Sequence, residues 1–230
     1  MKKLGLVGGT SWVSTIDYYR LINEGINEKL GGLNFAELMI YSVNFNDFQR
    51  YNTAGDWDAT YELLLNACES LKRGGADAIV LCANTSHAVA DRLEAVLDIP
   101  IIHIVSATAN EIKKLGIKKV GLMGTKFTME LSFYKNRLSE HGIESIVPEP
   151  LATRDAIQQT VKEELGRGII KEETKQQYIG YINEMIERGA EGIILGCTEL
   201  PMILSQQDIK VPVFDTTKIH SKAAIEFALS

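Results

Sequence analysis

An internal repeat constrains this fold more than any other feature of the chain. "KKLGLVGGT" at 2–10 matches "KKVGLMGT" at 118–125, "GADAIVL" from 75 matches "GAEGIIL" from 189, and "IPII" from 99 matches "VPVF" from 211. The offsets are 116, 114 and 112 residues, in the same order along both halves. One match of this kind is common, because an apolar run followed by glycine recurs in many proteins. Three collinear matches with slowly drifting offsets point to a duplicated unit.

The unit is α/β. Short apolar runs rich in β-branched residues, "LGLVG" at 4–8, "ELMIYSV" at 37–43, "AIVLC" at 78–82 and "PIIHI" at 100–104, are separated by longer segments with helical spacing. The series resumes with "VGLMG" at 120–124, "IESIV" at 143–147, "GIILG" at 192–196 and "VPVFD" at 211–215. Ile16, Tyr19, Ile22, Ile26 and Leu30 recur at a helical period, as do Trp57, Tyr61, Leu64, Cys68 and Leu71. Alternation of this kind predicts two pseudo-symmetric lobes, each a mostly parallel sheet flanked by helices, with the active site in the cleft between them. The expected division is residues 1–98 plus about 212–230 for the N-terminal lobe, and about 99–211 for the C-terminal lobe.

Composition excludes several classes of function. A net charge of −6 without a basic block argues against a nucleic-acid partner. No apolar stretch approaches the roughly 20 residues of a membrane span, and the run after Met1-Lys2-Lys3 stops at Gly8-Gly9, too early for a signal peptide. Three cysteines without framework spacing suit a reducing cytoplasm. The four histidines, His87, His103, His141 and His220, form no metal-ligand spacing with each other or with the cysteines, so no metal is expected. His103 reads as a core residue, whereas His87, after "ANTS" at a helix start, is placed to approach the cleft.

Two strand ends carry the candidate chemistry. "LGLVGGTS" runs a strand through a glycine turn into a helix, which offers backbone N–H groups to a carboxylate near Thr10 and Ser11. Cys197 follows "GIILG" and precedes Thr198-Glu199, an exposed strand end with a carboxylate and a hydroxyl at hand, where a thiolate can act as base or nucleophile. Cys82 resembles its twin, but the local offset of 114 carries Cys82 to Gly196 and Ala83 to Cys197. Neighbouring strand residues face opposite ways, so this single-residue slip turns Cys82 into its own lobe. Cys68 lies on an apolar helical stripe and reads as an inert packed thiol.

The motifs "GGTSW", "YYRLINE", "ANTSH", "GTKFTM", "GCTE" and "FDTTKIH" span nearly the whole chain, which resembles the cofactor-independent aspartate/glutamate racemase family. The resemblance implies an amino-acid racemase-like isomerase with aspartate and glutamate as substrates, which needs no cofactor, is often a homodimer and inverts the α-carbon with two bases on opposite faces. In relatives both bases are typically cysteines. Cys197 matches the second; Thr198 and Glu199 beside it are read, with Ala83, as substrate-holding residues. Asn84, Thr85 and Thr10 match substrate-holding positions; Asn52 lies in a loop that contacts substrate in relatives, with Arg50 close by in sequence. The first thiol position falls on Ala83, which has no proton to exchange. Cys82, a water or Lys162 is then the candidate for the second base, Lys162 on condition that desolvation lowers its pKa. A small amino-acid or dicarboxylate substrate fits all of these positions. The alternatives are a one-cysteine decarboxylase or isomerase of the same fold, and a carboxylate-binding homologue without turnover.

Overall fold

A computed structural model describes residues 1–230, which divide into two compact units: Met1–Ile104 with Thr217–Ser230, and Val105–Thr216. The first contains β1 (Leu4–Gly8), α1 (Trp12–Leu30), β2 (Leu38–Ser42), α2 (Phe45–Ala54), α3 (Trp57–Arg73), β3 (Ala78–Leu81), a 3-10 turn at Thr85–Val89 and α4 (Ala90–Glu94). Its parallel sheet has the order β2-β1-β3. Strand β1 is central and fully buried, and reads as a continuous apolar run because helices cover both faces of such a sheet.

The second unit opens with α5 (Ile104–Lys114), followed by β4 (Lys119–Gly124), α6 (Lys126–Glu130), α7 (Ser132–Glu140), β5 (Glu144–Ile146), α8 (Leu151–Glu163), α9 (Glu172–Glu187), β6 (Gly192–Gly196) and β7 (Val213–Asp215). Its parallel sheet runs β5-β4-β6-β7. The C-terminal helix α10 (Thr216–Ala228) returns to the first unit, where Ala224, Ile225 and Ala228 join the core of Leu4, Leu6, Tyr18, Ile22 and Ile26. Each leucine or isoleucine side chain buried this way contributes about 1.5–3 kcal/mol relative to exposure.

Strand pairing carries the repeat into three dimensions. Leu4 lies opposite Ala78 in the first sheet and Val120 opposite Gly192 in the second. These pairs are related by the sequence offsets of 116 and 114. The proline segments beside β3 and β6 follow suit: Ile79 N–H donates to Pro100 O and Ile193 N–H to Pro212 O, each at 2.9 Å.

Three expectations change. "PIIHI" is not a full strand, because only Ile101 bridges to Ile79 before α5 begins at Ile104. That bridge keeps residues 99–104 with the first unit, and the pairing of β7 with β6 keeps 213–215 with the second, so both crossings fall later than expected. On α1 the buried face is Ser14, Thr15, Tyr18, Ile22 and Ile26, while Ile16, Tyr19 and Leu30 are about half exposed. Hydrogen bonds rotate the helix: Ser14 Oγ donates to Cys82 O at 3.0 Å, Thr15 Oγ1 to Ser11 O at 2.9 Å, and Tyr18 Oη lies 2.8 Å from His220 Nδ1.

Candidate functional site

In the first unit the end of β1 is built by glycine. A Cβ on Gly9, whose φ is +81°, would lie 2.2 Å from Val43 O, so only glycine fits. Gly9 N–H donates to Thr15 Oγ1 at 3.0 Å, and Ser11 caps α1 by accepting from Ser14 N–H. Between them Thr10 is only 6% exposed, and its hydroxyl has no hydrogen-bond partner within the protein. Such a buried orphan hydroxyl costs about 1–3 kcal/mol unless something else satisfies it.

At the end of β3, Cys82 points into the core with Leu4, Leu6, Tyr18 and Val80; burial pushes its thiol pKa well above the ordinary range. Its side chain therefore lies in the core of its own unit. Ala83 is partly exposed, followed by buried Asn84 and Thr85. Asn52, on α2, is buried and accepts from Thr60 Oγ1 at 2.8 Å. Arg50 is exposed, donating to Asp47 at 3.2 Å and lying over the Tyr51 ring. The buried Cys68 is held up to about 12, by burial first and then by Glu69.

The reactive group of the second unit is Cys197. Its Sγ donates to Glu199 Oε2 at 2.8 Å, and Thr198 Oγ1 donates to the same oxygen at 2.9 Å. Burial, then the Glu199 charge and its hydrogen bond, push the thiol well above its usual range. Glu199 is therefore a partner of the thiol, where sequence had placed it among substrate-holding residues. The backbone around it is closely packed: a Cβ on Gly196 would lie 3.0 Å from Met123 O, and one on Gly124 2.9 Å from Gly196 O.

Two residues here were not legible in the sequence. Tyr178 of α9 feels the Cys197 charge as a secondary influence, burial being the main cause of its rise to about 12. Its hydroxyl hydrogen-bonds to Thr160 Oγ1 of α8. No motif marks either, since both sit inside ordinary amphipathic helices. Lys162 is exposed on the last turn of α8, so the desolvation that its role as a base requires is missing. His87 is buried and does not present its ring to solvent; His103 is buried as expected.

A family model for Asp/Glu/hydantoin racemases matches residues 7–224. The chain belongs to this family of isomerases. Among solved racemase-family structures, one from Yersinia pestis described as a candidate Asp/Glu racemase is 48% identical, covers all of both chains and superposes with a TM-score of 0.94. An aspartate racemase homologue from Pyrococcus horikoshii OT3 is 39% identical with a TM-score of 0.87, again over both full chains. The broad specificity amino-acid racemase RacX of Bacillus subtilis is 25% identical across 99% of this chain and 98% of its own. The racemase assignment thus spans both units, with Cys197 and the Ala83–Thr85 segment inside the matched region.

Proposed function

We propose that this racemase-family protein removes and returns the α-proton of a small, acidic amino acid, aspartate or glutamate, with Cys197 as the acid/base. The observation that carries the reading is the Cys197 thiol beside the Glu199 carboxylate at 2.8 Å. In the forward direction the thiol passes its proton to Glu199, and the thiolate takes the α-proton, leaving an enediolate. Returning a proton from the thiol to carbon reverses both transfers. A raised thiol pKa makes the thiolate scarce but a stronger base, which suits a weakly acidic C–H. The orphan hydroxyl of Thr10, with Asn84 and Thr85, is suited to hold substrate carboxylates. The reading includes no cofactor, a homodimer and a cytoplasmic location. Three cysteines without framework spacing suit that location.

A second reading is favoured by one specific observation. Ala83, the repeat equivalent of Cys197, has no acid/base group, and Cys82 is buried in the core. A one-thiol decarboxylase or isomerase, or a carboxylate-binding protein without turnover, needs nothing at that position. Incubating L- and D-aspartate and glutamate in deuterated water separates these readings. Racemisation with α-proton exchange supports two working faces; exchange with retained configuration supports one thiol; binding with neither refutes proton transfer.

A further inference from the structure

The first unit contains a buried histidine group that the proposed chemistry does not use. His87 packs edge-on against His103 and His220 at ring separations of 4.7 and 5.6 Å. His87 Nε2 accepts from Ile104 N–H at 3.2 Å, and Nδ1 lies 3.0 Å from Ala83 O. A nitrogen that accepts carries no proton, and a carbonyl can only accept. His87 is therefore the neutral Nδ1–H tautomer, donating to Ala83. Both ring nitrogens are committed to backbone, at the site segment on one side and on the other at Ile104, the last residue before the chain leaves the first unit.

The repeat shows that this arrangement is particular to the first unit. Under the offset of 114, His87 corresponds to Pro201, which has no side-chain hydrogen bond to give. There the turn is closed by backbone: Leu200 N–H donates to Cys197 O at 3.2 Å. Ala83 O, the equivalent carbonyl, instead receives the imidazole N–H, while the preceding carbonyl of Cys82 receives the Ser14 hydroxyl. Two side chains, Ser14 from α1 and His87 from within the turn itself, thus orient two consecutive peptide planes leading into Asn84.

We propose that His87 is a positioning residue for this site: its Nδ1–H fixes the Ala83 carbonyl, and with it the direction in which Asn84 and Thr85 present their polar groups to a bound amino acid. The inference rests on the proposed activity for its kinetic consequences but not for its tautomer. Three variants separate the bonds. His87→Asn keeps a donor near the Nδ1 position, His87→Gln keeps an acceptor near Nε2, and His87→Ala keeps neither. Each is assayed for α-proton exchange with aspartate, normalised to the folded fraction, beside imidazole nitrogen NMR of the full-length wild type. The expected result is an Nδ1–H signal in the wild type, exchange within about threefold of wild type for His87→Asn, and about tenfold lower exchange for His87→Gln and His87→Ala. Equal specific activity in all three variants would reduce His87 to a packing role and overturn the proposal, as would an Nε2–H tautomer. Should the wild type exchange no α-proton, the proposed activity fails. The tautomer, and the loss of the hydrogen-bonded Ala83 carbonyl shift in His87→Gln but not in His87→Asn, then decide the role of His87.

Discussion

Replacing Glu199 by glutamine tests the chemistry of the site most directly. Glutamine keeps an acceptor for the Cys197 thiol, now 2.8 Å from Glu199 Oε2, but removes the negative charge. Two of the causes that raise the thiol pKa, the charge and the charge-assisted bond, are lost, and burial remains. A hydrogen bond to a charged group is worth about 1.5–3 kcal/mol and one to a neutral group about 0.5–1.5. The difference favours the protonated thiol by roughly 1–2 kcal/mol, or about one pKa unit at 1.36 kcal/mol each. Glu199→Gln is therefore expected to move the pH midpoint of Cys197 alkylation down by about one unit, followed by peptide mass spectrometry so that Cys68 and Cys82 are read separately. The same change removes the proton acceptor, so α-proton exchange should fall by about 10²-fold or more although the thiolate is more abundant. An alkylation midpoint that stays or rises, or exchange that increases, would refute the pairing of Glu199 with the thiol.

Further outcomes follow from the same geometry. Cys82→Ala should leave exchange within about twofold and cost about 1 kcal/mol of stability by urea titration, as for a small buried group, whereas Cys197→Ser should abolish exchange. Thr10→Val removes an orphan hydroxyl, so thermal stability should hold or rise while KM for aspartate increases about tenfold. Ala83→Cys, at a partly exposed position in register with Cys197, should increase racemisation relative to retained-configuration exchange, measured together by polarimetry and NMR. For His220, burial lowers the pKa from 6.5 to about 4, so it stays neutral in the folded protein while the unfolded chain takes up a proton. Stability is then complete above pH 6.5 and declines as pH falls toward 4, by on the order of 3 kcal/mol. His220→Gln should flatten that part of the urea-midpoint profile.

The repeat and the strand alternation were legible because both are periodic, and because parallel strands buried on both faces advertise themselves as continuous apolar runs. The slip that separates Cys82 from the Cys197 register was legible for the same reason, since offsets are countable. The α1 stripe was misread because its inner face is set by Ser14 and Thr15, whose inward turn depends on hydrogen bonds to Cys82 O, Ser11 O and Gly9 N–H. Polar residues score as solvent-facing until their partners are known. The exposure of Lys162 was hidden for the complementary reason: a helical position near a matching motif does not say which way the helix turns.

By itself, the sequence determined that the chain is a duplicated α/β protein, that Cys197 stands at a strand end, and that its repeat equivalent is Ala83. These are matters of order and spacing along one dimension. Tertiary structure alone decided that Glu199 bonds the thiol, that the Thr10 hydroxyl is buried without a protein partner, and that His87 Nδ1 lies within hydrogen-bond distance of Ala83 O. Protonation, tautomer and basicity depend on distance and desolvation, and both arise only when residues far apart in the chain are brought within a few ångströms.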